Sequence, residues 1–536
     1  MRIKNVPLKT IRIVLALVIF ILITAYFCDF ADRLPVSLHA LMQIQMVPAI
    51  VAGSIGILIA LFILTFLFGR VYCSVICPLG ILQDIIGWFA QKAEKRSRRK
   101  VRYRYSKPQN VLRYTLLDIC ILFLVFGNIM PLLYLDPYSN FGRIASSVFR
   151  PILIGGNNLL SHITAHFNYY GFYNVTIQTI TIASFLIAIT ALLLVGILAL
   201  LRGRLFCNTL CPVGSALGLI SYFSIFRIAM NKSKCNQCGL CATTCKAECI
   251  NVLKRTVDSS RCVSCFNCLR KCKIEAIDYK TAWFDTELFR RPRPQKVSTW
   301  FNFRKKSTPL REEGGMNRRK FFVTSTAIAA TVPLIPAWAQ GNKPVDVTKL
   351  TPITPPGSKS LKHFKEKCTA CHLCVVHCPM QALRPAGFNF GLEYAFKPHL
   401  AFHEKVFCNY NCTICTQICP NGAIQPLELE EKQITQIGIA QFTRRLCIVH
   451  TDNTSCGACA EHCPVKAVRM EPYKGSLTLP QMYPELCIGC GGCESICPVR
   501  PMKAINVMPN AVHAKAQRPV EEEIEPINAD ELDFGF

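Results

Sequence analysis

The chain has 536 residues, of which 51% are apolar, only 18% are charged, and 31 are cysteine. That composition excludes a disordered or fibrous chain and an ordinary cytosolic enzyme, and it points to a membrane. The formal net charge is +28, yet residues 341–536 balance 19 Lys/Arg against 19 Asp/Glu, so the excess lies in the first 340. Basic residues flanking apolar runs follow the positive-inside rule, not the soluble basic face of a nucleic-acid binder. No nucleic-acid partner is expected.

Four apolar stretches reach spanning length, at roughly 11–28, 47–68, 111–133 and 177–201. Arg2, Lys4, Lys9 and Arg12 precede the first. The loop 29–46 has only Arg33, loop 69–113 has eleven basic residues, and loop 134–176 has only Arg143 and Arg150. This alternation predicts a cytoplasmic N-terminus and four spanning helices. A fifth apolar segment, Phe321–Ala339, follows Arg318-Arg319 and ends in Ala337-Trp338-Ala339. It reads as a twin-arginine export signal set in mid-chain, with an ordinary anchor helix as the alternative. Both readings carry the C-terminal part across the membrane.

Two repeats stand out. Gly69-Arg-Val-Tyr-Cys73-Ser-Val-Ile-Cys77-Pro78-Leu-Gly80 recurs as Gly203-Arg-Leu-Phe-Cys207-Asn-Thr-Leu-Cys211-Pro212-Val-Gly214. Each copy follows a spanning stretch that ends at the cytoplasmic face. The four cysteines of these C-x3-C-P pairs could ligate a cluster or metal, act as dithiols, or pack as inert thiols. A real role requires nearby positive charge, which Arg70 and Arg204 could supply.

The second repeat is a ferredoxin signature. Cys235, Cys238, Cys241 and Cys245 form one C-x2-C-x2-C-x3-C run, and Cys262, Cys265, Cys268 and Cys272 form the next. In such a tandem, three cysteines of one run and the last of the other hold one [4Fe–4S] cluster. Lys246 and Lys273 replace the usual following proline, which predicts less rigid loops. Four more runs follow, each before a proline: Cys368, Cys371, Cys374, Cys378; Cys408, Cys412, Cys415, Cys419; Cys447, Cys456, Cys459, Cys463; and Cys487, Cys490, Cys493, Cys497. Zinc does not call for the third CxxC, and six copies of one spacing are not a disulfide framework. Six [4Fe–4S] clusters are therefore expected, with the pairing of the last four runs open. Cys28, Cys120 and Cys249 are left over. An exported cluster domain should cross the membrane folded, as a twin-arginine signal provides.

Residues 1–280 resemble the NapH/MauN type of membrane quinol-dehydrogenase component, through the two C-x3-C-P motifs and the two-cluster ferredoxin that follows. Residues 316–510 resemble the NapG/MauM type of exported four-cluster ferredoxin, through Arg318-Arg319 and the widened run at Cys447. The resemblance implies a fusion that passes electrons from the quinone pool to a periplasmic reductase or cytochrome. The alternative is a maturation factor for a periplasmic redox enzyme. The implied location is a bacterial inner membrane, multi-pass, with the first ferredoxin cytoplasmic and the second periplasmic.

The expected architecture is multi-domain: an α-helical membrane bundle with α+β ferredoxin-like domains. Its parts are a membrane domain 1–230, a cytoplasmic ferredoxin 231–282, a basic linker 283–315, a signal or anchor helix 316–340, a periplasmic ferredoxin 341–510 and an acidic tail 511–536. Asp118, inside the third stretch, is the candidate proton acceptor for quinol, with a pair to Arg113 as the competing reading. His39, His162 and His166 are expected to be solvated.

Overall fold

The computed structural model describes residues 8–31, 33–94, 103–176, 182–281 and 351–518. The expected linker, the signal segment with Arg318-Arg319, and residues 519–536 lie outside the described residues. Those described belong to a single unit.

The helical N-terminal half begins with α1 (Leu8–Cys28), followed by the short α2 (Ala40–Gln43). The second apolar stretch is broken into α3 (Met46–Ala52) and α4 (Ile55–Phe68). Gly53, at φ +75°, makes the break, and the Ser54 amide reaches back to the Ala49 carbonyl at 2.9 Å, a left-handed helix stop. The short α5 (Tyr72–Val75) and the longer α6 (Pro78–Glu94) follow. The third stretch breaks in the same way: α7 (Asn110–Val125) stops at Gly127, at φ +72°, and α8 (Met130–Leu135) follows. Next come α9 (Pro137–Ile144) and α10 (Arg150–His166). Then α11 (Ile182–Arg202), α12 (Leu205–Thr209) and α13 (Pro212–Tyr222) repeat the pattern of α4–α6. Among the described residues, two helices are long and apolar enough to cross a membrane, Leu8–Cys28 and Ser184–Arg202. The expected four uninterrupted spans thus become two continuous helices and two interrupted segments, because glycine stops sit inside the apolar runs.

The first ferredoxin is closed by β1 (Phe226–Met230), whose antiparallel partner β4 (Ile277–Thr281) lies beyond both cysteine runs. Between them is the hairpin of β2 (Ile250–Asn251) and β3 (Thr256–Val257). In the C-terminal part, β5 (Leu383–Pro385) pairs with β6 (Pro398–Leu400), and β8 (Val468–Lys474) with β9 (Leu477–Met482). The long ladder of β7 (Thr435–Phe442) with β10 (Ile505–Lys515) encloses the last two runs as β1 and β4 enclose the first two.

The two ferredoxin parts meet opposite ends of α1. Near its start, Arg12 pairs with Asp84 of α6, which in turn pairs with Lys246 of the first ferredoxin. Near its end, Tyr26 packs at a tilt against His377 of the C-terminal part, ring centroids 4.7 Å apart. Fourteen helical residues separate the two contacts, about 21 Å along the axis.

Candidate iron–sulfur and thiolate centres

In the first ferredoxin, Cys235 and Cys272 lie beside Cys241, whereas Cys265, Cys262 and Cys245, and less strongly Cys241, act on Cys268. The fourth cysteine of each run has therefore crossed to the other set, as a two-cluster ferredoxin requires. Cys249 has joined the second set: its sulfur is 3.5 Å from that of Cys245. The thiol hydrogen bond from Cys249 pulls Cys245 below the ordinary thiol range.

The C-terminal part gathers its sixteen cysteines into four sets. Cys419 lies with Cys368, Cys371 and Cys374. Cys378 lines one cavity with Cys408, Cys412 and Cys415. Cys497 shares another with Cys447, Cys456 and Cys459, and Cys463 a third with Cys487, Cys490 and Cys493. Neighbouring runs thus exchange their last cysteines, first with second and third with fourth. Burial pushes Cys368, Cys459 and Cys490 up to about 12, so these thiols ionise only beside strong positive charge, such as iron supplies. Backbone amides already point at sulfur: Ala276 at Cys272 (3.3 Å) and Ala467 at Cys463 (3.2 Å). Among the described residues, no three His, Cys, Asp or Glu side chains close on a single ion. The thiols, the amides and the cavities fit iron–sulfur groups.

The four cysteines of the membrane repeat converge. Cys73, Cys77, Cys207 and Cys211 are all buried, and the charges of Cys207, Cys77 and Cys73 act on Cys211. The local reason is the same in both copies. A short helix, α5 or α12, ends where the Cys77 amide returns to the Tyr72 carbonyl and the Cys211 amide to the Phe206 carbonyl, each at 3.0 Å. Proline then opens the next helix, α6 or α13. The Gly214 amide donates to Cys211 Sγ at 3.3 Å. Gly80 and Gly214 leave room for this: a Cβ at either would overlap the carbonyl oxygen of Cys73 or Cys207.

Arg70 and Arg204 exchange partners across the repeat. Arg70 Nη2 donates to the Cys207 carbonyl at 3.1 Å and lies 3.8 Å from Cys73 Sγ, while Arg204 Nη1 donates to the Cys73 carbonyl. Burial raises the Cys207 thiol above its ordinary range, and Arg204 and Arg70 oppose that rise without overcoming it. The two arginines prepare the site for thiolates, and a bound metal group would complete the ionisation.

The halves of the repeat differ at one place. Asp84 on α6 is buried and ionised: burial opposes its charge, but Arg204, Lys246 and Arg12 together hold the carboxyl well below the usual carboxylate range. At the matching place on α13 stands Gly218, whose missing side chain makes room for Arg113. The Arg113 guanidinium donates to the Ser260 carbonyl at 2.9 Å and the Gly214 carbonyl at 3.2 Å.

The structure does not bring Asp118 to any of this. It is exposed on α7, and Arg113 turns away from it toward α13 and the first ferredoxin. His162 and His166 are exposed, whereas His39 is buried rather than solvated. Cys28 and Cys120 are buried apart from the thiol groups. Three functional positions escaped the sequence reading: Asp84, Lys246 and Cys249. Lys246, expected to loosen its loop, instead fastens it. Its Nζ lies 3.3 Å from Asp84, and its carbonyl accepts from the Arg204 amide at 2.9 Å. Arg202 with Glu248 (2.8 Å) and Asn208 with the Ala247 carbonyl (3.2 Å) complete the attachment. The only available signal was the departure from proline after Cys245.

A single buried cluster joins these parts. It contains Cys241, Cys245, Cys249, Cys265 and Cys268 of the first ferredoxin, and all four cysteines of the membrane repeat. Tyr72 and Tyr138 then lead to Cys371 of the C-terminal part.

Comparison with known proteins agrees with the chemistry. A family described as a 4Fe-4S binding domain matches residues 51–97 and 183–232, the two copies of the membrane repeat. A 4Fe-4S dicluster domain matches residues 454–501, and a further 4Fe-4S binding domain matches 361–384. The chain is 29% identical over 164 residues to the methylamine utilization ferredoxin-type protein MauM of Methylobacillus flagellatus, covering 30% of this chain and 69% of that one. It is 29% identical over 166 residues to the ferredoxin-type protein NapG of Escherichia coli, covering 29% and 70%. It is 28% identical over 152 residues to the ferredoxin-type protein NapF of the same organism, covering 28% and 84%. No solved structure matches. The chain carries several 4Fe-4S binding domains, as iron–sulfur electron transfer requires, and over about 30% of its length it is similar to the ferredoxin-type proteins MauM, NapG and NapF.

Proposed function

We propose that this protein takes electrons from quinol in a bacterial inner membrane and delivers them, across that membrane, to a periplasmic reductase or cytochrome. The observation that carries the reading is the continuous buried cluster from the first ferredoxin, through Cys73, Cys77, Cys207 and Cys211, to Cys371. With the two ferredoxins at opposite ends of α1, the first faces the cytoplasm and the second the periplasm. The two interrupted apolar segments complete a four-pass membrane domain, as non-helical backbone is tolerated at membrane depth where protein buries it.

The 24 ferredoxin cysteines would hold six [4Fe–4S] groups, and the four thiols of the membrane repeat a seventh. Such groups carry single electrons, which separates two-electron quinol chemistry from one-electron delivery. The chain's own part is to bury the sulfurs, to aim amides and guanidinium groups at them, and to hold the successive sites in one dry, packed core.

The test is the double variant Cys73→Ser with Cys207→Ser, purified as the full chain in lipid discs. Wild type should contain about 28 iron per chain and the variant about 24, with the six ferredoxin groups intact. Given reduced menaquinone analogue, wild type should reduce all of its groups, whereas the variant should stop after the cytoplasmic pair, about one third of its iron by Mössbauer spectroscopy. Complete reduction of the variant by quinol would overturn the reading.

A further inference from the structure

Beside the Asp84 network lies a cavity of about 550 Å³, by far larger than the spaces among the cysteine runs. It lies between α1 and α6; Ile13, Ala16, Leu17, Ile81 and Ile85 give it an apolar wall, and Lys9 and Gln91 line it as well. Arg12, Asp84 and Lys246 line it too, and Asn267 of the first ferredoxin reaches the same wall. Two of these residues adjoin candidate iron ligands, since Lys246 follows Cys245 and Asn267 precedes Cys268. One turn along α6 from Asp84, Trp88 and Phe89 are more than half exposed, as aromatic residues are where a protein meets the headgroup region.

We infer that this cavity is the binding site for the hydroquinone head of a membrane quinol, with its isoprenoid tail leaving between α1 and α6 into the lipid. The inference rests on the function proposed above and adds the place. Only a ligand with a long apolar body and a small polar head matches a pocket that opens to lipid and ends on a fixed carboxylate. Asp84 is held by three cations, so it serves as a hydrogen-bond acceptor that positions a quinol hydroxyl. Oxidation of the quinol to quinone would release two protons, to solvent beside Gln91, and two electrons, one to each of the two [4Fe–4S] groups that the cysteines of the adjoining ferredoxin would hold. The asymmetry of the repeat gives the site once per chain, because Gly218 and Arg113 occupy the matching place on α13.

The decisive variant is Ala16→Phe. Ala16 is buried on the cavity wall, and the added ring fills the space. In full-length protein in lipid discs, quinol-driven reduction should slow at least tenfold while dithionite still reduces every group. Leu17→Trp, at the lipid-facing lip, should act in the same direction and guards against misfolding of the first variant. An independent readout is Trp88 fluorescence: oxidised menaquinone analogue should quench it saturably in wild type and not in Ala16→Phe, with Trp88→Phe as the blank. Quinol reduction at the wild-type rate in both cavity variants overturns the site and leaves the proposed function standing. Wild type that quinol cannot reduce overturns the function itself, and the inference with it.

Discussion

Replacing Asp84 with asparagine isolates the electrostatic joint between the membrane half and the first ferredoxin. The carboxylate receives Arg204 Nε at 2.8 Å, Lys246 Nζ at 3.3 Å, and the Arg12 guanidinium, so one anion serves three cations. The Arg204 side chain has no exposure at all. Removing one partner of a buried pair costs about 3–5 kcal/mol, mostly because the other charge stays behind without compensation. With three cations left facing one another, the expected loss is about 4 kcal/mol, or roughly 4 °C in the unfolding midpoint of a chain this long. The assay is thermal unfolding of the full chain in lipid discs, followed by circular dichroism, for Asp84→Asn, Arg204→Met and the double variant. Contacting charges do not act independently, so the double variant should be at least about 1.5 kcal/mol more stable than the sum of the single losses predicts. Losses that add to within about 0.5 kcal/mol would refute the argument, because Asp84 and Arg204 would then not be sensing each other.

Three further outcomes follow from particular contacts. Gly80→Ala and Gly214→Ala place a methyl group against the carbonyl oxygens of Cys73 and Cys207, so each should cost about 1–3 kcal/mol and lower the iron content by the share of the membrane site alone. Lys397 is buried and its charge acts on Cys368; Lys397→Met should make the centre at Cys368, Cys371, Cys374 and Cys419 harder to reduce, and an unchanged potential in a redox titration would count against that placement. Burial lowers both His399 and His513 to about 4, so the unfolded chain binds their protons first as the solution is acidified. Their contribution to stability should be complete above pH 6.5 and fall progressively toward pH 4, by at most about 3 kcal/mol for each histidine, and His513→Gln should flatten part of that slope.

The proposed ligands could be read because iron–sulfur chemistry writes itself as local spacing: four runs keep C-x2-C-x2-C-x3-C, and the other two widen only their first gap, before Cys412 and Cys456. The duplicated twelve-residue motif was equally visible, and the structure gathers its four sulfurs. Asp84 was not legible: its partners are 72, 120 and 162 residues away in sequence, and periodicity reports a face, not the identity of what meets it. Asp118 attracted notice because it interrupts an apolar run, but such an interruption does not reveal which way the side chain turns. The breaks at Gly53 and Gly127 were hidden for a related reason. Hydropathy averages over a window, and a single left-handed glycine leaves the average unchanged while ending the helix. Lys246 shows the opposite error, in which a departure from a motif signalled a new contact rather than a lost one.

The contact between the C-terminal ferredoxin and the far end of α1 has a consequence for biogenesis. Cys371, Leu373, Val376 and Ile418 belong to the same core as Phe27, Tyr138 and Phe141, and the Cys371 carbonyl rests directly on Gly142. Until the C-terminal domain arrives, that aromatic face has no cover. A chain that lacks this domain should therefore be short-lived and open to proteases, and rescued by co-expression of the finished iron–sulfur domain. Protein abundance would then report the supply of assembled clusters, so that a cell short of iron accumulates few half-built chains.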